Sequence, residues 1–275
     1  GADALAADLA AHLADLVITD LDPLDHPPML IASLLPASST ELVQAVGGPA
    51  AAQRFAVLRR HQPALEADPG DDGWTSMHPL LARGLRPRVD ASAPPLATDL
   101  LARAAAWHRD RGSLGEPVEL WSAAGRWPEA VDHLVQTSLR FAEGGRHQEY
   151  LDLWTRIPTP AWENDPVALL NLSLLSIGAG RARWASDHLF RPPLTDFDLP
   201  VGVRAVTTVV RAFLAPWSAD PAGSLATAQE AVHLLLDVDE ATLPPVTGVR
   251  SRQPWLHLAE VSAARAELLL GRWPA

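Results

Sequence analysis

Polar side chains set into otherwise apolar helical stretches are the residues of this chain best suited to hold a ligand. Asn171 interrupts the run Val167-Ala168-Leu169-Leu170-Asn171-Leu172, and Arg204 and Arg211, seven apart, share a helical face with Thr207 and Thr208. Lining a groove, one amide and two guanidinium groups would suit an anionic or polyol effector, because fixed N–H arrays pair with carboxylate or phosphate oxygens. The plainer reading has Asn171 bonding across a helix pair and both Arg side chains facing water. Catalytic constellations are weak by comparison. The ten His residues form no HExxH or HxxxH pair, Glu129 and His133 read as an i,i+4 surface contact, and there is no Gly-x-Ser-x-Gly elbow. The expectation is a protein that is not an enzyme, with no catalytic residue and no metal site.

Composition narrows the classes further. The Lys plus Arg total of 22 is made up entirely of Arg, which removes a phosphate-loop Lys, a Schiff-base Lys and a kinase Lys from this chain. A net charge of −11 opposes a polyanion as the main ligand, so no direct nucleic-acid binding is expected. With no Cys, disulfides and thiolate chemistry drop out together. A hydrophobic share of 48% rich in Ala and Leu predicts a mostly helical chain. The apolar runs fall short of the ~20 residues needed to span a bilayer, and the first Leu-rich stretch is broken by Asp3, Asp8 and Asp15. No membrane association and a cytoplasmic location are the resulting expectations.

These residues need helices to position them, and the chain reads mostly as helices. The stretch from Leu5 places Leu9, Leu13, Leu16 and Val17 on one face. Met29 to Leu35 predicts a short buried helix ended by Pro36; Ser38 with Glu41 has capping-box spacing for a helix closed by Gly47-Gly48. Pro49 opens another helix with Phe55, Val57 and Leu58 inside and Arg59 and Arg60 near its C-terminal end. Residues 64–68 and 74–78 flank Pro69-Gly70-Asp71-Asp72-Gly73, a turn-rich stretch that would close a β-hairpin. Two helices and a hairpin predict a winged-helix-like domain over residues 1–90, and Pro87 to Pro95 reads as a stiff linker.

Residues 91–275 predict a tetratricopeptide-like repeat array. Ala124-Gly125-Arg126-Trp127-Pro128-Glu129-Ala130 has the form of a turn between antiparallel helices, Gly relieving strain at a helix end and Ala allowing close approach. Further helices are expected near 96–111, 116–124, 131–140, 148–157, 166–177, 182–189, 201–214, 225–236 and 255–270, at unit spacings nearer about 40 residues than the ~34 of the strict pattern. Gly271-Arg272-Trp273-Pro274-Ala275 repeats the start of that turn, which suggests a chain taken from something longer. Trp107, Trp121, Trp127, Trp154 and Trp184 fall near helix ends, where packing at repeat joints is favoured over a ligand-stacking platform.

The segments LIASLLPASSTELVQAVGG, MHPLLARGLRP and LLARAAAWHRDRGSLGEPVELWSAAGRWPEAV, together with the hairpin, resemble the winged helix and first helical repeats of MalT-like, LuxR-type, ATP-dependent transcriptional regulators of the signal-transducing ATPase class. The resemblance covers roughly residues 5–190. It implies a sensor and oligomerisation-control fragment that binds a small-molecule inducer or a regulatory protein on the array. It also implies an ATPase domain, a LuxR-type DNA-binding domain and ATP or ADP in the parent chain, with no cofactor held by this fragment itself. In that class a winged-helix His in a Met-His-Asp motif touches the ADP phosphate; His78 matches it here, with Pro79 in the acidic position, and would do so only beside an ATPase domain. A His bonded to local backbone is the plainer alternative. Two other readings stay open: a stand-alone protein–protein scaffold, and an antibiotic-pathway type of activator. The second is opposed by acidity and by a helix over 49–60 whose N-terminal Pro-Ala-Ala-Ala offers nothing to read bases.

Overall fold

Pro at first turns, Gly at last turns and apolar stripes between them set the architecture. The computed structural model describes residues 2–67, 73–92, 94–195, 198–214 and 220–272. The fold is mostly α, with one small three-stranded antiparallel sheet. Contacts divide it into two compact units, Gly1–Arg126 and Trp127–Ala275. No described helix is long and apolar enough to cross a membrane.

The first unit begins with α1 (Ala2–Asp20), α2 (His26–Leu34), β1 (Ser38–Ser39), α3 (Thr40–Gly47), α4 (Pro49–His61), β2 (Leu65–Ala67), β3 (Trp74–Met77) and α5 (Pro79–Ser92). β3 lies centrally, pairing Leu65 with Met77 on one side and Ser38 with Thr75 on the other. This helix–strand–helix–helix–hairpin order is that of a winged-helix-like unit. The expected hairpin is present; its turn residues 69–72 lie outside the described residues. Ser39 rather than Ser38 caps α3, accepting from the Leu42 amide at 3.1 Å, because α3 starts at Thr40 and Ser39 is the residue immediately before it. Val57 is exposed, since the buried stripe of α4 runs through Ala51, Ala52, Phe55 and Leu58 and leaves 57 off it.

Two further expectations are corrected. α1 turns Ala10 and Ala14 inward and leaves Leu5, Leu9 and Leu16 exposed. The reason lies in α5, where a side chain at Gly84 would fall within 2.0 Å of the Ala10 carbonyl oxygen and 2.9 Å of Ala14 Cβ. Only small residues permit so close a crossing, and an Arg88–Asp15 ion pair flanks it. Nor is 87–95 a linker: α5 continues through Pro87 to Ser92, and α6 (Pro94–Asp110) starts two residues later. Leu81, Leu85 and Val89 form one buried stripe spaced by four, and that burial outweighs the ladder bond lost at Pro87. α6 and α7 (Glu116–Ala123) complete the first unit.

The second unit contains α8 (Trp127–Glu143), α9 (His147–Trp154), α10 (Pro166–Gly178), α11 (Ala182–Leu189), α12 (Val201–Leu214), α13 (Pro221–Asp237) and α14 (Arg252–Leu269). One backbone device closes several helices in both units. At Gly125 (φ 68) the Gly amide donates to Ser122 O and the Arg126 amide to Trp121 O; at Gly180 (φ 77) the corresponding bonds run to Ile177 O and Ser176 O. Gly145-Arg146 and Gly271-Arg272 repeat the pattern, so a Gly-Arg pair marks each of these turns. His133 departs from its expected surface position and is buried with Ala130, Leu134 and Thr137 on the inner side of α8. Trp273–Ala275 lie outside the described residues.

Candidate functional site

His78 sits where the sheet ladder hands over to α5. Its amide donates to Ala64 O at 2.9 Å, its carbonyl accepts from Ala82, and its exposed ring accepts from the Leu80 amide through Nδ1 at 3.3 Å. The neutral ring therefore carries its proton on Nε2.

The three array candidates are not brought together. Asn171 is fully buried; its Nδ2 donates to Val167 O at 2.9 Å and Pro245 O at 3.3 Å, while its Oδ1 accepts from the Thr247 amide at 2.8 Å. It thereby fastens the loop before α14, where Thr247 holds a left-handed φ of 47°. Arg211 also binds backbone, donating to Leu189 O at 2.7 and 2.9 Å and to Leu194 O at 2.8 Å, with its guanidinium over the Phe190 ring. Burial lowers its pKa from the ordinary value, with Glu230 opposing. Arg204 is exposed, and Thr207 and Thr208 bond back to Val203 O and Arg204 O. Arg211→Ala is accordingly expected to cost about 2 kcal/mol through stranded carbonyls, whereas Arg204→Ala should leave the urea midpoint unmoved; urea unfolding of both variants checks this.

A cleft of about 270 Å³ opens elsewhere in the second unit. Trp154 at the end of α9, Trp162 in the following turn and Trp184 on α11 wall it, with Ser176 from the last turn of α10 and Arg181 from the α10–α11 turn. An edge-to-face series backs it: Phe141 to Tyr150 at 5.3 Å, Tyr150 to Trp154 at 6.0 Å and Trp154 to Trp162 at 5.5 Å. Burial raises the Tyr150 phenol above its ordinary value, so this backing stays neutral. Trp184 stacks on His188 at 3.7 Å, and the ring is held by Nδ1 donating to Trp184 O at 2.9 Å. Arg181 is fixed by the Gly180 turn and donates to Gln148 Oε1 at 3.0 Å, while remaining exposed. Such a set can stack a planar or sugar-like group and pair it with a guanidinium; it holds no nucleophile–base couple among the described residues. The sequence marks Trp154 and Trp184 only as joint fillers and does not single out Trp162 or Arg181. The Gly-Arg pair is the one local signal for Arg181.

Comparison with known proteins gives limited similarity. The chain is 26% identical over 148 residues, 54% of its length, to the serine/threonine-protein kinase PknK of Mycobacterium tuberculosis (strains CDC 1551 / Oshkosh and ATCC 25618 / H37Rv). PknK of Mycobacterium bovis (strain ATCC BAA-935 / AF2122/97) matches at the same identity and coverage. The chain spans 13% of the length of these relatives. No protein-family profile matches it, and no solved structure matches it.

Proposed function

We propose that the chain is the sensing and oligomerisation-control part of a MalT-like regulator, in which an inducer or regulatory protein binds the helical second unit. The cleft walled by Trp154, Trp162 and Trp184 carries this reading, because three indoles and a turn-fixed Arg181 form a recognition surface. The helix–strand order of the first unit supports it, as does similarity to a fraction of a much longer serine/threonine-protein kinase. Binding acts on function only if the ligand prefers one of two states of the parent protein; a closed-to-open equilibrium of an attached ATPase is the proposed element it biases. In the same reading the ATPase and LuxR-type DNA-binding domains lie elsewhere in the parent chain, ATP and ADP bind there, and this part performs no catalysis in the cytoplasm.

Thermal-shift measurements against sugars, nucleotides and peptides test the proposal. Selective binding stabilises the folded unit by about 2.7 kcal/mol at a hundredfold excess over Kd, so its melting temperature rises with ligand concentration. One chemical class is expected to stabilise the chain and to lose that effect in Arg181→Ala. Equal stabilisation of both proteins would move the binding site away from this cleft.

A further inference from the structure

A second cleft, of about 470 Å³, lies wholly within the first unit and plays no part in the proposal above. The wing strand β3 contributes Trp74, the last turns of α6 contribute Trp107, His108 and Arg111, and α7 contributes Glu116 and Glu119. Trp107 meets Trp74 edge-on at 6.0 Å and His108 at 4.9 Å, while the His108 ring lies 5.9 Å from Trp74, so three rings form one continuous wall.

The charges around that wall decide what it attracts. Arg111 is already committed: its guanidinium lies 3.8 Å from the Trp107 ring centroid and pairs with Glu41 at 3.1 Å. Burial lowers the His108 imidazole below its ordinary value and Arg111 pushes the same way, against Glu116, so the ring is neutral at pH 7. Among the described lining residues, Glu116 and Glu119 are the carboxylates and Arg111 the guanidinium, which Glu41 already pairs. Glu116 has no hydrogen-bond or ion-pair partner among the described residues. An aromatic wall with the Glu116 carboxylate beside it favours a cation, whose charge the rings and the acid both stabilise. An anion would meet repulsion and the one guanidinium already paired.

The geometry points to a binding site for a small organic ammonium or guanidinium compound, seated against Trp74 and Trp107 with its charged group toward Glu116. Glu116 and Glu119 both lie in the first turn of α7, where either carboxylate complements the helix dipole. Glu116→Gln therefore removes the ligand's counter-charge while keeping the fold.

Calorimetric titration of the 275-residue chain with agmatine tests the site, with benzoate as the anionic control. Agmatine is expected to bind with Kd below about 1 mM, and Glu116→Gln, with an unchanged melting temperature, to weaken it by about tenfold or more. Trp74→Leu should weaken it as well, and benzoate should not bind. Absence of agmatine binding, unchanged affinity in Glu116→Gln, or benzoate binding as tightly as agmatine would each overturn the assignment.

Discussion

Gly84→Val should lower the melting temperature of the first unit more than any other single substitution on α5. A Cβ at position 84 would stand 2.0 Å from Ala10 O, 2.6 Å from Ala10 C and 2.9 Å from Ala14 Cβ. Two of those neighbours are backbone atoms, so relief requires α1 to move as a body rather than a side chain to rotate. Overpacking of this kind costs roughly 3 kcal/mol, a fall on the order of 10 °C for a unit of this size. Gly125→Ala is the informative comparison. Nothing lies within 4 Å of its added Cβ, but φ is +68°, so the cost is backbone strain alone, about 1 kcal/mol. Circular-dichroism melts of both variants distinguish the mechanisms; equal losses would mean that α1 does not cross α5 at Gly84.

Asn171→Ala should be the corresponding lesion in the second unit. Three hydrogen bonds disappear together, stranding the Thr247 amide and the carbonyls of Val167 and Pro245 and leaving a small void among the residues around α10. Such a loss is expected to cost about 3 kcal/mol. It is also local: the Thr247 amide should exchange about a hundredfold faster once its acceptor is removed. Thr247→Gly should partly restore stability in that background, because Thr there holds a left-handed φ that Gly adopts without strain. Hydrogen exchange read at Thr247, alongside urea unfolding of the single and double variants, tests the account.

Local signals carry much of the fold. α11 and α12 lie at their expected residues because their apolar periodicity and bounding Gly or Pro are written into the chain itself. The hairpin strands are likewise readable from the turn residues between them. Strand β1 is not, since two Ser residues become a strand only by pairing with Trp74 and Thr75 from far along the chain. Contacts of that kind account for most of the departures. The inward turn of Ala10 and Ala14 depends on Gly84, and the role of Asn171 depends on backbone 74 and 76 residues away. At Pro87 a local breaker signal is overridden by burial of Leu85 and Val89. The candidate site is half legible: its indoles are visible as Trp residues at helix ends, but their convergence with Arg181 is a tertiary fact.

The most direct test of recognition by the helical second unit is the melting temperature of the 275-residue chain and of Arg181→Ala across one panel of sugars, nucleotides and peptides. A single class that stabilises the parent chain by several degrees, with the shift lost in the variant, is the predicted outcome. A panel that shifts neither protein, shifts both alike, or is chemically turned over would contradict the account.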